Sequence, residues 1–221
     1  GYFSLGNDRK LDVTGRRELP FTLGHEIQGK VSALGAGVIG VRIGDECVVY
    51  PWIGCGKCAQ CKRGYENLCA FNNNLGTVKD GGFSDQVLVP HPRYILNATG
   101  IADGLAGVYM CSGLTAYSAL RKIGELPKGD KILVLGLGGV GYMALQIAQA
   151  LFGNNVFGAD TSAAKRDAAL KTGSKEIFDP SDNNSVKSII SNTKGGVYAV
   201  VDFVGSEKSV SFGRKCLGRG G

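Results

Sequence analysis

Four of the seven cysteines fall within fifteen residues, in the pattern C-x2-C-x2-C-x7-C. They are Cys55, Cys58, Cys61 and Cys69. Thiolates spaced in this way can face one ion across tight turns, and four of them at about 2.3 Å form a closed tetrahedral zinc site. A closed site stabilises a fold and leaves no position for a reacting molecule. The spacing alone leaves an iron–sulfur site and chance clustering open as alternatives.

A second set of candidate ligands is dispersed along the chain. His25 is followed directly by the carboxylate of Glu26 and a strand-like run, which favours a function over an isolated core histidine. Cys111 opens a helical pattern, and a thiol at the start of a helix has a lowered pKa and binds metal well. Taken alone, Cys111 is better interpreted as a buried structural residue. We predict no chemical role for the other cysteines and histidine: Cys47, Cys216 and His91.

A glycine-rich turn of the form G-x-G-x-x-G joins a short apolar run, 131–135, to a helical pattern, 142–150. Gly136 allows the tight turn, Gly138 lets the backbone approach a pyrophosphate, and Gly141 lets the helix pack on the strand. The free N–H groups of the helix N-terminus then face the anion. The predicted dinucleotide loop consists of Gly136, Leu137, Gly138, Gly139, Val140 and Gly141.

An acidic residue follows the loop at the interval expected for ribose recognition. Asp160 ends a second strand-like run, 155–160, and lies 24 residues after Gly136. A carboxylate at this position accepts hydrogen bonds from both ribose hydroxyls and repels a 2′-phosphate. Because the next residue is Thr161 and not an arginine, the sequence predicts NAD rather than NADP as the cofactor.

The elements around these residues suggest two domains. From about residue 111 strands and helices alternate, which predicts the first four strands of a doubly wound Rossmann sheet. The predicted strands are 131–135, 155–160, 176–179 and 197–204, and the later helices are 163–171, 185–191 and 206–217. Before that point strand-like runs at 27–34, 46–50 and 83–89 alternate with glycine- and asparagine-rich turns. We therefore expect an α/β protein with a mainly β domain at 1–110 and a Rossmann domain at 111–221.

Composition limits the remaining classes of function. The 221 residues carry a net charge of +6, with 20% charged and 43% hydrophobic residues, which excludes a disordered chain. Lysine and arginine are dispersed, which argues against a nucleic-acid surface. The longest apolar stretch, 132–145, contains four glycines and is too short to cross a bilayer. The sequence thus predicts a cytoplasmic protein that binds neither nucleic acid nor membrane.

The motifs, in their order along the chain, resemble the medium-chain, zinc-dependent alcohol dehydrogenases. The resemblance rests on Gly24-His25-Glu26, the four-cysteine lobe, Cys111-x3-Thr115 and the glycine loop, and it covers essentially the whole chain. It implies a GroES-like catalytic domain followed by a Rossmann domain, a structural and a catalytic zinc, and NAD. It further implies a small alcohol or aldehyde as substrate and a homo-oligomer, either a dimer or a tetramer.

The resemblance also implies roles for single residues. His25 and Cys111 match ligands of the catalytic zinc, and Glu26 matches an acid that approaches the metal during ligand exchange. The other implied positions lie at the cofactor and the substrate: Thr115 and Val140 near the nicotinamide, Asp160 and Lys165 at the adenosine ribose, and Trp52 in the substrate pocket.

One departure from the family pattern affects the expected activity. The family has a further zinc-binding cysteine, followed by a serine or threonine proton relay, upstream of the histidine, but no cysteine precedes His25. We expect that this residue lies before Gly1, that both ends are truncated, and that the 221-residue chain alone is inactive. A polyol, sugar or hydroxy acid substrate and a non-catalytic zinc- or dinucleotide-binding homologue are the alternatives.

Overall fold

The computed structural model describes residues 2–4, 10–12, 19–193 and 195–221. Contacts divide the chain into two units, Gly1–Cys111 and Ser112–Gly221. The sequence-based boundary, at 110/111, lies one residue before this division.

The first unit contains short antiparallel strands connected by long loops. Strands β1 (Tyr2–Ser4) and β2 (Lys10–Asp12) pair with each other. Strands β3 (Ile27–Lys30), β4 (Glu46–Val49) and β5 (Ile95–Asn97) form a three-stranded sheet in that order. The helical segments are short: α1 (Ala59–Lys62), a 3-10 turn at Glu66–Leu68, another at Pro92–Tyr94, α2 (Ala106–Val108), and a π-helical turn at Tyr109–Gly113.

The core of this unit is correspondingly small. One cluster of buried side chains lies against β3 and β4 and consists of Ile27, Val49, Ile53, Leu75 and Tyr94. A second consists of Val48, Ala98 and Ala106, with Met110 packed against it.

The predicted strand at 83–89 is wrong, because this segment forms no strand among the described residues. Its first N–H, that of Phe83, donates to the carbonyl of Leu23 in a loop, and the preceding Gly82 N–H donates to Gly24. Val87 and Val89 still pack against the first cluster. The apolar alternation therefore identifies two partly buried valines, but Phe83 is 78% exposed, and the pattern does not supply the neighbouring strand that a β-ladder requires.

The second unit is a parallel sheet with helices between its strands. Its strands are β6 (Ile132–Leu135), β7 (Val156–Ala159), β8 (Ile177–Phe178) and β9 (Ala199–Asp202), in the order β8-β7-β6-β9. Its helices are α3 (Leu114–Arg121), α4 (Gly139–Phe152), α5 (Ala163–Lys171), α6 (Ser185–Asn192) and α7 (Glu207–Cys216). This order is that of the first four strands of a doubly wound sheet, so the predicted fold class is confirmed.

The central strand β6 explains why its sequence is continuously apolar. Ile132 and Val134 belong to a cluster that includes Leu145 of α4, whereas Leu133 and Leu135 belong to a cluster that includes Phe157 of β7. Successive side chains of a strand point to opposite faces, and here helices cover both. All four residues of β6 are at most 1% exposed.

Within the described residues, no helix combines the length and the apolar character needed to cross a membrane.

Candidate metal centres and dinucleotide site

The four lobe cysteines converge as the spacing predicts. Their sulfur atoms all lie within 4.8 Å of one another, with Cys58 Sγ at 3.5 Å from Cys61 Sγ and 3.7 Å from Cys69 Sγ. The edge of a tetrahedron with zinc–sulfur bonds of 2.3 Å is about 3.8 Å, whereas a disulfide bond is about 2 Å long. All four thiols are free. The donor set therefore fits a tetrahedral metal ion.

Backbone N–H groups donate to two sulfur atoms of this lobe. Cys69 Sγ accepts hydrogen bonds from the backbone N–H groups of Cys55 and Phe71, both at 3.3 Å. Hydrogen bonds from the N–H groups of Lys57 and Cys58 lower the pKa of the Cys55 thiol to about 6. Burial raises the pKa of the Cys61 thiol to about 12, so the backbone prepares only part of the ligand set for a cation before it binds.

A partly buried carboxylate that the sequence does not single out, that of Glu66, links the lobe to the rest of the unit. Glu66 Oε2 accepts from Gly54 N at 2.8 Å and from the Tyr94 hydroxyl at 2.7 Å, and Arg93 Nη2 lies 2.8 Å from Glu66 Oε1. Burial alone would raise the pKa of Glu66, but the hydrogen bonds from Tyr94 and Gly54 and the charge of Arg93 lower it. Only the folded chain brings these residues together.

His25 and Cys111 form the second candidate centre. His25 Nε2 lies 3.2 Å from Cys111 Sγ, although 86 positions separate the two residues, and Glu26 offers a carboxylate oxygen within 4.8 Å of both. With zinc bonds of about 2.1 Å to nitrogen and 2.3 Å to sulfur, the ligand atoms would be about 3.6 Å apart. A small relaxation of the pair therefore accommodates the metal. Burial, followed by the Glu26 charge, raises the pKa of Cys111.

Two local features bring these ligands together. Cys111 lies in the π-helical turn at Tyr109–Gly113, a distortion that is common at functional sites. Gly107 of α2 lies against the start of β3, where a Cβ atom would be only 2.9 Å from the backbone carbonyl of Glu26. A side chain at position 107 would therefore push α2 away from the strand that follows His25.

Trp52 lies beside this pair. Its ring centroid is 5.3 Å from that of His25, with an angle of 55° between the planes. Its indole Nε1–H donates to the carbonyl oxygen of Met110 at 2.9 Å. The structure thus places Trp52 at the candidate metal centre, and its predicted contact with substrate stays a prediction.

In the second unit, the glycine loop leaves open space beside the start of α4. A Cβ atom on Gly141 would lie 1.7 Å from the carbonyl oxygen of Gly136, so the helix and the loop approach each other too closely for any side chain. Gly136 itself has a φ of +86°. In contrast, Cβ atoms on Gly138 and Gly139 would meet nothing within 4 Å. This open space beside free N–H groups fits a pyrophosphate.

Asp160 lies at the carboxyl end of β7 and is only 7% exposed. Its Oδ2 accepts from the N–H of Leu137 at 2.7 Å, its Oδ1 accepts from the N–H of Ser162 at 2.8 Å, and Lys165 Nζ is 3.7 Å from Oδ2. The acid is therefore tied to the glycine loop. Beside it is a cavity of about 360 Å³, whose lining includes Gly136, Asp160, Thr161, Ser181 and Lys208.

The sequence points to Lys165 but not to its neighbour Arg166, which makes more contacts. Arg166 Nη1 donates to the carbonyl oxygens of Asp160 and Thr161, both at 2.9 Å, and lies 2.9 Å from Asp179 Oδ2. It thereby links the ends of β7 and β8 around the candidate ribose site. The adjacent Lys-Arg pair was the only available signal, and spacing could not show which cation is held in place.

The remaining predicted cofactor residues lie on the helices of this unit. Thr115 lies in α3, and Val140 lies in the first turn of α4 and packs against the core cluster beneath it. The described structure shows no feature that tests their predicted position near a nicotinamide, so these roles stay predictions.

Comparison with known proteins places the two units in one family. Residues 6–99 match the alcohol dehydrogenase GroES-like domain, and residues 139–221 match the zinc-binding dehydrogenase domain. Over 218 residues the chain is 37% identical to an NAD-dependent alcohol dehydrogenase of Saccharolobus solfataricus, covering 98% of this chain and 62% of that protein.

Solved structures agree. An alcohol dehydrogenase from Aeropyrum pernix is 29% identical, with a TM-score of 0.80, over 92% of this chain and 60% of that one. A D-arabinose dehydrogenase from Sulfolobus solfataricus is 28% identical, with a TM-score of 0.83, over 92% of this chain and 64% of that one. The chain spans about 60% of the length of the curated relatives that it matches.

The matched domains follow one another in the predicted order, and the names of the domains and relatives include both predicted cofactors, zinc and NAD. The chain belongs to the medium-chain, zinc-dependent alcohol dehydrogenase family.

Proposed function

We propose that the protein oxidises an alcohol to an aldehyde or ketone with transfer of hydride to NAD. The observation that carries the proposal is the approach of His25 Nε2 to within 3.2 Å of Cys111 Sγ, with the Glu26 carboxylate beside them. A histidine, a thiol and an acid in one cluster are typical of a catalytic zinc site, whereas the four-thiolate lobe suits a structural ion.

Different residues of the chain would bind the metal and the two parts of the cofactor. His25 and Cys111 would hold the metal, with the exposed Glu26 carboxylate beside them. The N–H groups at Gly138 and Gly139 bind the pyrophosphate, and Asp160 accepts hydrogen bonds from the ribose. Zinc supplies a Lewis acid that favours loss of the alcohol proton, and NAD supplies the hydride acceptor.

The substrate class has a leading candidate and one competitor. The relative from Saccharolobus solfataricus is named an alcohol dehydrogenase, which favours a simple alcohol. A structure of comparable similarity is named a D-arabinose dehydrogenase, which keeps a sugar or polyol as the second candidate. We further propose a domain boundary at 110/111 and a homo-oligomer located in the cytoplasm.

The test combines binding with turnover. The chain should bind one metal ion tightly in the lobe and a second more weakly, and His25→Ala or Cys111→Ser should abolish only the second. In the natural protein that carries this sequence, each variant should lose NADH formation from a panel of primary alcohols, secondary alcohols and sugars. Undiminished NADH formation by both variants would show that the reaction does not use this centre.

Cofactor choice is tested separately at Asp160. Its two oxygens are fixed by the N–H groups of Leu137 and Ser162, so a 2′-phosphate would meet a buried, immobile anion. Asp160→Gly combined with Thr161→Arg should shift the ratio of kcat/KM values from NAD toward NADP, and Ser181→Ala serves as a control on the cavity wall. A wild-type preference for NADP would refute the assignment.

A further inference from the structure

Trp52 contacts both segments that carry ligands of the candidate catalytic centre. Its ring packs against the imidazole of His25, with centroids 5.3 Å apart, and its indole N–H donates to the carbonyl of Met110, the residue before Cys111. Trp52 is the only tryptophan in the chain.

The hydrogen bond to Met110 acts on the orientation of the thiol. Cys111 lies within a π-helical turn, and such turns bond less regularly than an α-helix. Fixing the carbonyl that directly precedes Cys111 fixes the peptide plane at its Cα atom. The contact with the His25 ring restricts the rotation of the imidazole, which is the second ligand.

Trp52 is itself firmly anchored on both sides. Pro51 is fully buried and Ile53 is 4% exposed in the core of the first unit. The Ile53 N–H donates to Pro51 O at 3.0 Å, and the Gly54 N–H donates to Glu66. The indole is therefore held by a rigid segment that continues into the four-cysteine lobe at Cys55.

We propose that Trp52 is a positioning residue for the catalytic metal, holding the His25 imidazole and the Cys111 segment at ligating distance. This inference rests on the proposed metal site. Groups that orient metal ligands, when mutated, typically cost 10–100-fold in metal affinity. Trp52→Phe keeps an aromatic ring beside His25 but removes the N–H donor to Met110, and Trp52→Leu removes both.

The experiment is a cobalt titration of the full chain after the lobe has been filled with zinc. A thiolate-to-cobalt absorption band then reports binding at Cys111, and quenching of the Trp52 emission reports the distance to the ion in the wild-type chain. We expect an affinity lower by about tenfold in Trp52→Phe and by about a hundredfold in Trp52→Leu. Tyr50→Phe, which also removes a polar atom from an aromatic side chain in the same unit, should leave the affinity unchanged.

The possible outcomes test the positioning role of Trp52 and the metal site itself separately. Retention of one tightly bound zinc by each variant shows that the lobe and its unit are still folded. Equal cobalt affinities in the wild type and both Trp52 variants would overturn the positioning role and leave the metal site intact. A wild-type chain that takes up cobalt without quenching of its single tryptophan would contradict the close contact between Trp52 and the metal ligand His25. This result does not depend on any variant. A wild type without a second binding site would overturn both.

Discussion

The two units of the chain are nearly equal in length, but they hold their functional residues by different means. In the second unit the glycine loop and Asp160 extend from strands that are fully buried between two apolar clusters. In the first unit the candidate ligands lie on loops and short turns around small clusters, joined by polar contacts such as Glu66 with Arg93. We therefore expect the sheet to position its site without a ligand and the lobe to depend on its metal for folding.

The largest expected effect is therefore loss of the structural metal. Binding of zinc to four-ligand sites in small domains contributes about 10 kcal/mol or more to folding. Cys58→Ser should release the ion and abolish cooperative unfolding of the first unit, while the second unit still unfolds cooperatively. Metal analysis and urea unfolding would measure this. Cys47→Ala, which replaces a buried cysteine outside the lobe, should keep the metal. A metal-free chain whose first unit still unfolds cooperatively would show that folding of this unit does not depend on the metal.

A substitution in the core of the second unit should, in contrast, destabilise only the sheet. Phe157 is fully buried and packs edge-on against Phe178, with ring centroids 5.3 Å apart. Phe157→Ala should lower the free energy of unfolding of the second unit by about 4 kcal/mol without loss of lobe zinc. The matched control is Phe71→Ala, because Phe71 is 74% exposed. A comparable loss in both variants would show that burial does not distinguish the units.

A smaller effect is expected where the lobe is fastened to its unit. Glu66→Gln removes the charge that faces Arg93 and weakens the bonds from Tyr94 and Gly54, which should cost about 2 kcal/mol. Because the pKa of Glu66 is lowered in the fold, its contribution is present above the unfolded value, near 4.3, and is lost as the pH falls through the folded value. Acid unfolding of the wild type and of Glu66→Gln would measure this. Identical acid transitions in the two proteins would show that Glu66 does not contribute to stability.

The smallest predicted effect appears at alkaline pH in the second unit. Burial raises the pKa of the Cys216 thiol to about 11. Above the ordinary pKa of a thiol, 9.0, the unfolded chain ionises this group while the folded chain does not, so stability falls as the pH rises. Urea unfolding at about pH 8 and about pH 10 should differ by about 1 kcal/mol through this group. Cys216→Ala should remove that difference, and an unchanged pH slope in the variant would contradict it.

Local spacing was enough to predict much of the second unit and the lobe. The glycine loop, Asp160 and the four cysteines each lie within one short segment or one βαβ repeat, so their spacing constrains their geometry directly. The helix α4 begins at Gly139, three residues earlier than predicted, because part of the glycine loop forms its first turn.

The rest depends on contacts that spacing does not encode. His25 and Cys111 were paired only through the family resemblance, because 86 residues separate them. The contacts of Arg166 with Asp179, and of Glu66 with Arg93 and Tyr94, appear only when distant segments are folded together. The same limit explains the wrong strand at 83–89, since a strand is defined by its neighbour as well as by its own pattern.

The π-helical turn at Tyr109–Gly113 has a consequence for insertions and deletions. Such a turn contains one residue more than the α-helical turn that it replaces, and each residue of an α-helix rotates the following side chains by about 100°. Deleting one residue there would turn the Cys111 thiol away from His25 without changing any ligand. This segment should therefore tolerate substitution better than a change of length, and its residue count is as much a part of the metal site as the cysteine that it carries.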